Sequence, residues 1–489
     1  MPPEPVAAPN VVLICVDQWR GDCFSAAGHP VVMTPYLDGW LERGTRFDRA
    51  YSATPSCVPA RASLLTGQSQ ERTGRVGYQD GVPWDYPHPL AGEFGAAGYQ
   101  TQAVGKMHVF PERNPMGFDD VALHDGYTHF TRSTYDDLTE VDDYLAWLRV
   151  QVGYDADYAE HGLNCNSVVA RPWDKPEYVH PTTWVVTRSI QFLRERDRSM
   201  PFFLFASFHR PHPPYDPPQW AFEQYIDQEM PEPPVGDWLD VWADYDNPRS
   251  PESPVATYDP RLLQRARAGY YGHMSHIDQQ LERLFEELAA QGATRGNTVI
   301  MFVADHGELM GDHHLYRKCA PYEGSARIPV AISGPGIPAG VVDDSVVELR
   351  DVMPTLLDAA GIGIPETVDG RSILPLARGE ATAWREHLHG EHLHLGDQSV
   401  HFLTDGKEKY IWCSGTGIEQ LFDLRADPQE LHDLARQPSS ADRLGQWRGK
   451  LVDELRARPE GYVDGDALVP GRRAGALIPG SRTAAATSR

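Results

Sequence analysis

Two short segments set oxygen and nitrogen ligands side by side: Asp17-Gln18 and Asp305-His306-Gly307-Glu308. Two carboxylates, an amide oxygen and a neighbouring imidazole suit a hard divalent cation. Ca²⁺ fits such a set first, with Mg²⁺ or Mn²⁺ as alternatives, and imidazole also tolerates Zn²⁺. The competing reading of Asp17 and Asp305 is helix capping after a strand. A third segment, Cys57-Val58-Pro59-Ala60-Arg61, pairs a thiol with a guanidinium four residues on, so that both fall on one face of the helix this segment should begin. Its bland reading is a small buried cysteine and a surface ion pair. The cationic residues Lys106 and His108, His209 and His212, and Lys318 stand in short Gly- or Pro-marked segments. For His209, His313 and His314 a purely structural, hydrogen-bonded histidine is an equal reading.

These residues need elements to bring them together. Asn10 to Val16 is a short β-branched apolar run and reads as a buried parallel strand with Asp17 at its tip. Gln100 to Val104 leads into Lys106, Pro201 to Phe208 ends at His209, and Asn297 to Ala304 ends at Asp305. Helical patterns lie between them at Tyr36 to Arg43, Ala91 to Ala97, Trp184 to Arg196 and Leu262 to Gln291, the first two stopped by Gly44 and Gly98. The alternation predicts an α/β fold, a large mainly parallel sheet covered by helices on both faces. Its ligand crevice lies at the carboxyl ends of the strands, where the four polar tips gather. Asn114 to Asp174 and Pro213 to Asp259 read as long insertions over the site. From about Trp384 the pattern changes to His401 to Thr404, Lys409 to Cys413 and Glu419 to Leu424, a small antiparallel sheet, followed by a helix over Ser440 to Arg456. We divide the chain into a catalytic domain over 1–383, a small α+β subdomain over 384–465 and a mobile tail over 466–489.

Cys57-x-Pro59-x-Arg61, continued through Ser63-Leu64-Leu65-Thr66-Gly67, resembles the sulfatase signature. The resemblance extends over most of the main domain: Gly105-Lys106-x-His108, Pro211-His212-Pro213-Pro214, and Lys318 ahead of Tyr322-Glu323-Gly324. It reaches Gln420-Leu421-Phe422-Asp423-Leu424 near the end. It implies an alkaline-phosphatase/sulfatase-like fold. It also implies that a separate formylglycine-generating enzyme oxidises Cys57 to Cα-formylglycine, whose hydrate has one hydroxyl to attack sulfur and another to expel sulfate. The implied metal ligands are Asp17, Gln18, Cys57, Asp305 and His306. Arg61 would support the nucleophile and the metal carboxylates, and His108 would contact the nucleophile. Lys106, His212 and Lys318 would surround a tetrahedral anion, with His212 or Lys318 protonating the leaving oxygen. Gln18 and His306 stand where many members have Asp and Asn, Ser325 replaces a glycine, and phosphonate monoester hydrolases are similar at the first two points.

The expected reaction is hydrolysis of an aryl or carbohydrate sulfate ester. Its nearest competitor is a phosphonate monoester or phosphodiester hydrolase with the same nucleophile and metal. An unmodified Cys57 thiolate ranks lower, because the segment does not look like a thiolate-activating helix start. A formal charge of −25 argues against nucleic-acid and anionic-membrane partners, and it demands a local cationic site for an anionic substrate. Six separated cysteines and no signal-like segment point to a cytoplasmic protein, with a homo-oligomer left open. Trp19, Arg20, Trp84, Tyr86, Trp173, Trp220, Trp238 and Trp242 lie near site loops, where aromatic faces bind rings or cations or simply pack.

Overall fold

The computed structural model describes residues 8–380 and 383–487. In chain order its strands are β1 (Asn10–Asp17), β2 (Thr45–Phe47), β3 (Ala50–Tyr51), β4 (Gln100–Gly105), β5 (Asp120–Leu123), β6 (Phe202–Pro211), β7 (Thr298–Ala304), β8 (Val330–Ser333), β9 (Val341–Asp343) and β10 (Val347–Glu348). The C-terminal part adds β11 (Leu388–His394), β12 (Gln398–Thr404), β13 (Glu408–Cys413), β14 (Glu419–Asp423), β15 (Val463–Asp464) and β16 (Ala467–Leu468). The main sheet runs β5-β4-β6-β1-β7-β8-β2-β9. Its centre is parallel from β5 to β7, and β8 is antiparallel to both β7 and β2. β1 is central because its residues from Val11 to Val16 are apolar and can be buried on both faces. The expected strands and helices are present to within a few residues.

Helices cover the sheet. Pro260–Ala290 is the longest; Asp259 caps it by accepting from the Arg261 N–H, and Pro260 fills the position whose N–H would go unused. It packs on the helices Pro35–Leu41, Pro181–Glu195 and Gln219–Ile226. The second sheet, β11-β12-β13-β14, is antiparallel and is backed by the helix Ala441–Leu455 through Trp447, Leu451 and Leu455.

Two expectations need correction. β11 lies in a stretch left without structure in the sequence reading, and it ties the small sheet to the main domain: Glu391 N donates to Ala53 O and Leu393 N to Val76 O, each at 2.8 Å. The segment from 466, expected to be a mobile tail, is laid against the main domain. Val76 N donates to Ala476 O and Ile478 N to Gly74 O, each at 2.9 Å, and the short helix Arg482–Ala486 follows. The backbone of Thr73 to Val76 leaves N–H and C=O groups open, and this segment satisfies them.

Candidate active site

β1 ends in a register shift between Val16 and Asp17 against β6, so the chain leaves the ladder there and turns at Gln18 with φ of 69°. That turn puts the Asp17 carboxylate under the crevice, fully buried. Its Oδ2 is ion-paired with Lys106 Nζ, which arrives from the end of β4. Its Oδ1 lies 3.3 Å from His306 Nε2 and 3.6 Å from Cys57 Sγ. Asp305, at the end of β7, accepts from Gln18 N at 3.1 Å and His306 N at 3.0 Å through Oδ1. Its Oδ2 accepts from Arg61 Nε at 2.8 Å. Arg61, itself buried, also donates to Lys106 O at 2.8 Å and Ser207 Oγ at 2.9 Å. Arg61 thereby fixes Asp305 and the β4 terminus as one body.

Cys57 is the first residue of the helix Cys57–Thr66, which is buried along its whole length and ends at Gly67 with φ of 66°. Ser56 precedes it in extended backbone, but its hydroxyl does not cap the helix; it bonds His392 Nε2 at 2.6 Å. Burial and Asp17 push the Cys57 thiol up, yet Lys106, Lys318 and His306 outweigh them and hold it well below the usual range. The helix start and these cations make position 57 an anion-stabilising site.

Lys106, His108, His209, His212 and Lys318 line one cavity. Lys318 Nζ lies 2.8 Å from Gln18 Oε1 and 3.4 Å from Cys57 Sγ. Glu308 accepts from the other end of the Gln18 amide, and so keeps the amide oxygen turned to Lys318. His108 Nε2 lies 3.2 Å from Tyr78 Oη. Burial and Lys106 work against charging His108, but Asp80 and Cys57 prevail and raise its pKa. His212 donates from Nδ1 to Pro213 O at 2.7 Å, and burial with Lys318 pushes its pKa down to about 4. A neutral His212 therefore shows the site a lone pair on Nε2, and Lys318 brings N–H donors to this side.

Asp17, Cys57, Asp305 and His306 place ligand atoms within 4.8 Å of one another, all buried. The set fits a divalent cation in its donor chemistry. His306 donates Nδ1–H to Gly307 O at 2.9 Å, which aims Nε2 inward as a metal-ligating histidine requires. Burial opposes charge on His306, but Asp305 raises its pKa to about 10, so these carboxylates call for a positive charge at this point. Gln18 is the expected ligand that the structure engages differently, since its amide oxygen accepts from Lys318.

Above the cluster opens a cavity of about 500 Å³, with Cys57, Lys106, His108, His209, His212 and Lys318 along its lining. Its outer wall is Tyr78, Tyr127, Asn166, Arg317 and the turn Leu393 to Asp397. None of the aromatics singled out from the sequence lines it. Trp19 packs edge-on against Phe302, and Trp238 stacks on Tyr322 with centroids 4.4 Å apart. Arg20 is paired with Asp22 and Asp312. His313 accepts from Gly236 N, and His314 lies against Thr257, so both are structural. Tyr78, Tyr127 and the β11–β12 turn carried no local signal of their role, because sheet pairing and loop path bring them here.

Fold and site together define a hydrolase acting on an ester of a tetrahedral oxyanion, with a buried cluster whose donors fit a divalent cation. The sulfatase family model matches residues 9–362, and a model described as the C-terminal part of N-sulphoglucosamine sulphohydrolase matches residues 311–457. The chain is 47% identical to an arylsulfatase of Clostridium perfringens, over 95% of this chain and 98% of that one. It is 31% identical to a choline-sulfatase of Rhizobium meliloti, over 88% and 83%. The structure of a phosphonate monoester hydrolase of Agrobacterium radiobacter superposes with a TM-score of 0.77 at 26% identity, covering 92% of this chain and 95% of that one. The chain belongs to the sulfatase family and is a sulfuric ester hydrolase.

Proposed function

We propose that this chain hydrolyses an organic sulfate ester, of aryl type, with Cys57 converted to formylglycine by a formylglycine-generating enzyme and with one divalent metal held by Asp17, Asp305, His306 and residue 57. The observation that carries the reading is the placement of Cys57 at a buried helix start, within reach of two carboxylates, an imidazole and two lysines. The apolar and aromatic part of the cavity wall, Tyr78, Tyr127, Pro254, Leu393 and Leu395, supports an aryl leaving group over a hydrated sugar.

When bound, the metal would supply Lewis acidity at position 57, and formylglycine an oxygen nucleophile with a second hydroxyl for release. The rest falls to the chain's own residues. Lys106 neutralises Asp17 and keeps it ionised: burial would raise the Asp17 pKa, and the ammonium overrides it. Lys106, Lys318 and the ring edges of His108, His209 and His212 form a cationic and polar rim that holds the sulfate oxygens against the repulsion of a chain carrying −25. Lys318, within reach of position 57, would stabilise the charge that builds on the leaving oxygen and deliver a proton to it, while His212 accepts and orients. Gln18 holds Lys318 in place.

The test is the mass of the peptide from Ala50 to Arg61, taken from protein made in a host that carries the converting enzyme. The reading expects the aldehyde or its hydrate at position 57. An intact thiol in protein that turns over sulfate esters at full rate would overturn it. A second reading, a phosphonate monoester hydrolase, is favoured by Gln18, by His306 and by the Agrobacterium radiobacter likeness. Turnover of 4-nitrophenyl sulfate against a phenylphosphonate ester separates the two.

A further inference from the structure

His209 stands three residues before His212, near the end of β6, and lines the same cavity. Its Nδ1 is held by the Arg210 guanidinium. A guanidinium has donors and no acceptor, so Nδ1 must offer its lone pair, and the single proton of a neutral ring sits on Nε2. Arg210 is itself immobilised. Its Nε and Nη2 fork onto Asp216 at 2.9 and 3.0 Å. Asp216 also lies 3.0 Å from His161 Nε2 and 3.3 Å from His273 Nε2. Arg210, Asp216 and His273 are all buried, so water does not compete for these bonds.

The other contacts of the ring leave that proton free. Gly126 lies against it, and a Cβ there would come within 2.2 Å of Cδ2 and 2.4 Å of Cγ and Nε2. Three ring atoms at nearly equal range place Gly126 over the ring face, not at its Nε2 edge. Nε2 is buried and has no hydrogen-bond partner. A ring nitrogen of His209 lies within 4.8 Å of ligand atoms of Asp17 and His212, so the ring borders the space above position 57. A buried N–H without a partner is costly unless a ligand completes it. Burial and Arg210 push the His209 pKa well down, which keeps the ring neutral.

We propose that His209 is a neutral hydrogen-bond donor, through Nε2–H, to an oxygen of the tetrahedral anion bound above position 57, and that Arg210 and Asp216 are positioning residues that fix its tautomer. The proposal rests on the reading of that site as one for an oxyanion ester. It makes the Arg210–Asp216 pair part of the binding machinery, although neither residue touches the anion. It also separates two histidines that share a cavity wall: His209 donates, whereas His212 shows a lone pair. The close glycine is part of the device, since any side chain at 126 would displace the ring.

The metal-loaded, matured enzyme decides the matter with three variants and three readouts. Inorganic sulfate affinity by calorimetry should fall roughly 10- to 100-fold in His209→Ala, the worth of one hydrogen bond to a charged group. His209→Gln, whose amide nitrogen can replace Nε2–H, should recover most of it. In protein labelled with ¹⁵N-histidine, the His209 signal should show a protonated Nε2 and a bare Nδ1. Arg210→Lys keeps the ion pair with Asp216 but loses the donor to Nδ1, and should mix the two tautomers and raise KM more than it lowers kcat. A wild-type His209 protonated at Nδ1, or a His209→Ala variant that binds sulfate as tightly as wild type, would overturn the proposal. Protein that turns over phosphonate but no sulfate ester would sink the functional reading alone; the same variants, read with inorganic phosphate, would still decide this one.

Discussion

At the scale of single residues the site is a balance of buried charge. Asp17, Asp305 and the thiol of Cys57 face the buried Lys106, Arg61 and His306 and the half-buried Lys318 at the floor of the cavity. Each of these groups is tolerable only through its partner. Replacing Cys57 by Ala should abolish sulfate-ester turnover while the melting temperature changes by only a few degrees, checked by steady-state assay and thermal scan. Proton delivery is assigned to Lys318, because His212 is neutral and has committed its Nδ1–H to Pro213. Lys318→Ala should therefore cost roughly 100- to 10,000-fold in kcat on esters with poor leaving groups and much less on nitrophenyl esters. His212→Ala should shift KM more than this leaving-group dependence. A Brønsted series with both variants checks the assignment, and equal slopes for Lys318→Ala and wild type would contradict it. Chelation should remove activity and lower the melting temperature, with recovery on adding back a divalent metal. The reason is that Lys106 and Arg61 each neutralise one carboxylate from the side, while between the two carboxylates the metal-free cluster has a proton on His306 where the cation would sit.

At the scale of elements, helix ends are satisfied by distant side chains. Thr34 precedes the helix Pro35–Leu41 but makes no side-chain cap. Asp278, from the long helix, serves instead, accepting from Leu37 N at 2.7 Å and Tyr36 N at 3.3 Å. Burial raises its pKa to about 7, against the pull of those two N–H groups. The sign follows from which state holds the proton more tightly. Here it is the folded state, so this group favours folding at low pH, and stability is lost as pH rises from about 4 through about 7. Three pKa units correspond to a penalty on the order of 4 kcal/mol above pH 7. Asp278→Asn should flatten the pH dependence of urea unfolding in that window and raise stability at pH 8. The gain should fall short of the full penalty, because an amide N–H then faces the Tyr36 N–H. A steeper dependence in the variant would contradict the assignment.

For the whole molecule, the two sheets are joined through a buried lysine. Lys409, in β13, lies 2.8 Å from Glu323 of the main domain and 2.8 Å from Glu430 beyond β14, with no solvent exposure. One cation thus neutralises two carboxylates contributed by different parts of the chain. Lys409→Met should lower the free energy of unfolding by about 3–5 kcal/mol, since it strands two acids in the interface. Denaturant unfolding checks the loss. Activity should fall with it, because the small sheet carries the turn from Leu393 to Asp397 that closes the cavity and His392 that holds Ser56. The acidic surface expected to repel an anionic substrate is met locally by the lysines and histidines at the strand tips, not by any change in the overall charge.

Much of this was legible in the sequence, and the reason is locality. A β-branched run such as Val11 to Val16, stopped by a polar residue, needs no partner to be read as a buried strand, and its direction then fixes Asp17 at the tip. The same holds for Lys106, Asp305 and the Cys57–Arg61 face, each set by spacing within one element. β11 was not legible: Leu-His-Gly-Glu-His-Leu-His has two apolar residues among three histidines, a glycine and a glutamate, and gains its strand from β12 and from the backbone carbonyls of Ala53 and Val76. The tryptophans near the site loops could not be sorted into packing or binding, because an indole's role depends on what lies across from it. Likewise the lock on His209 exists only because β6 and the turn after it bring Arg210 and Asp216 back together. The sequence by itself determined which groups could do chemistry and which strand ends carried them. Tertiary structure alone decided which of them share a cavity, which proton each histidine keeps and what walls the substrate meets, since these depend on distances between residues far apart in the chain.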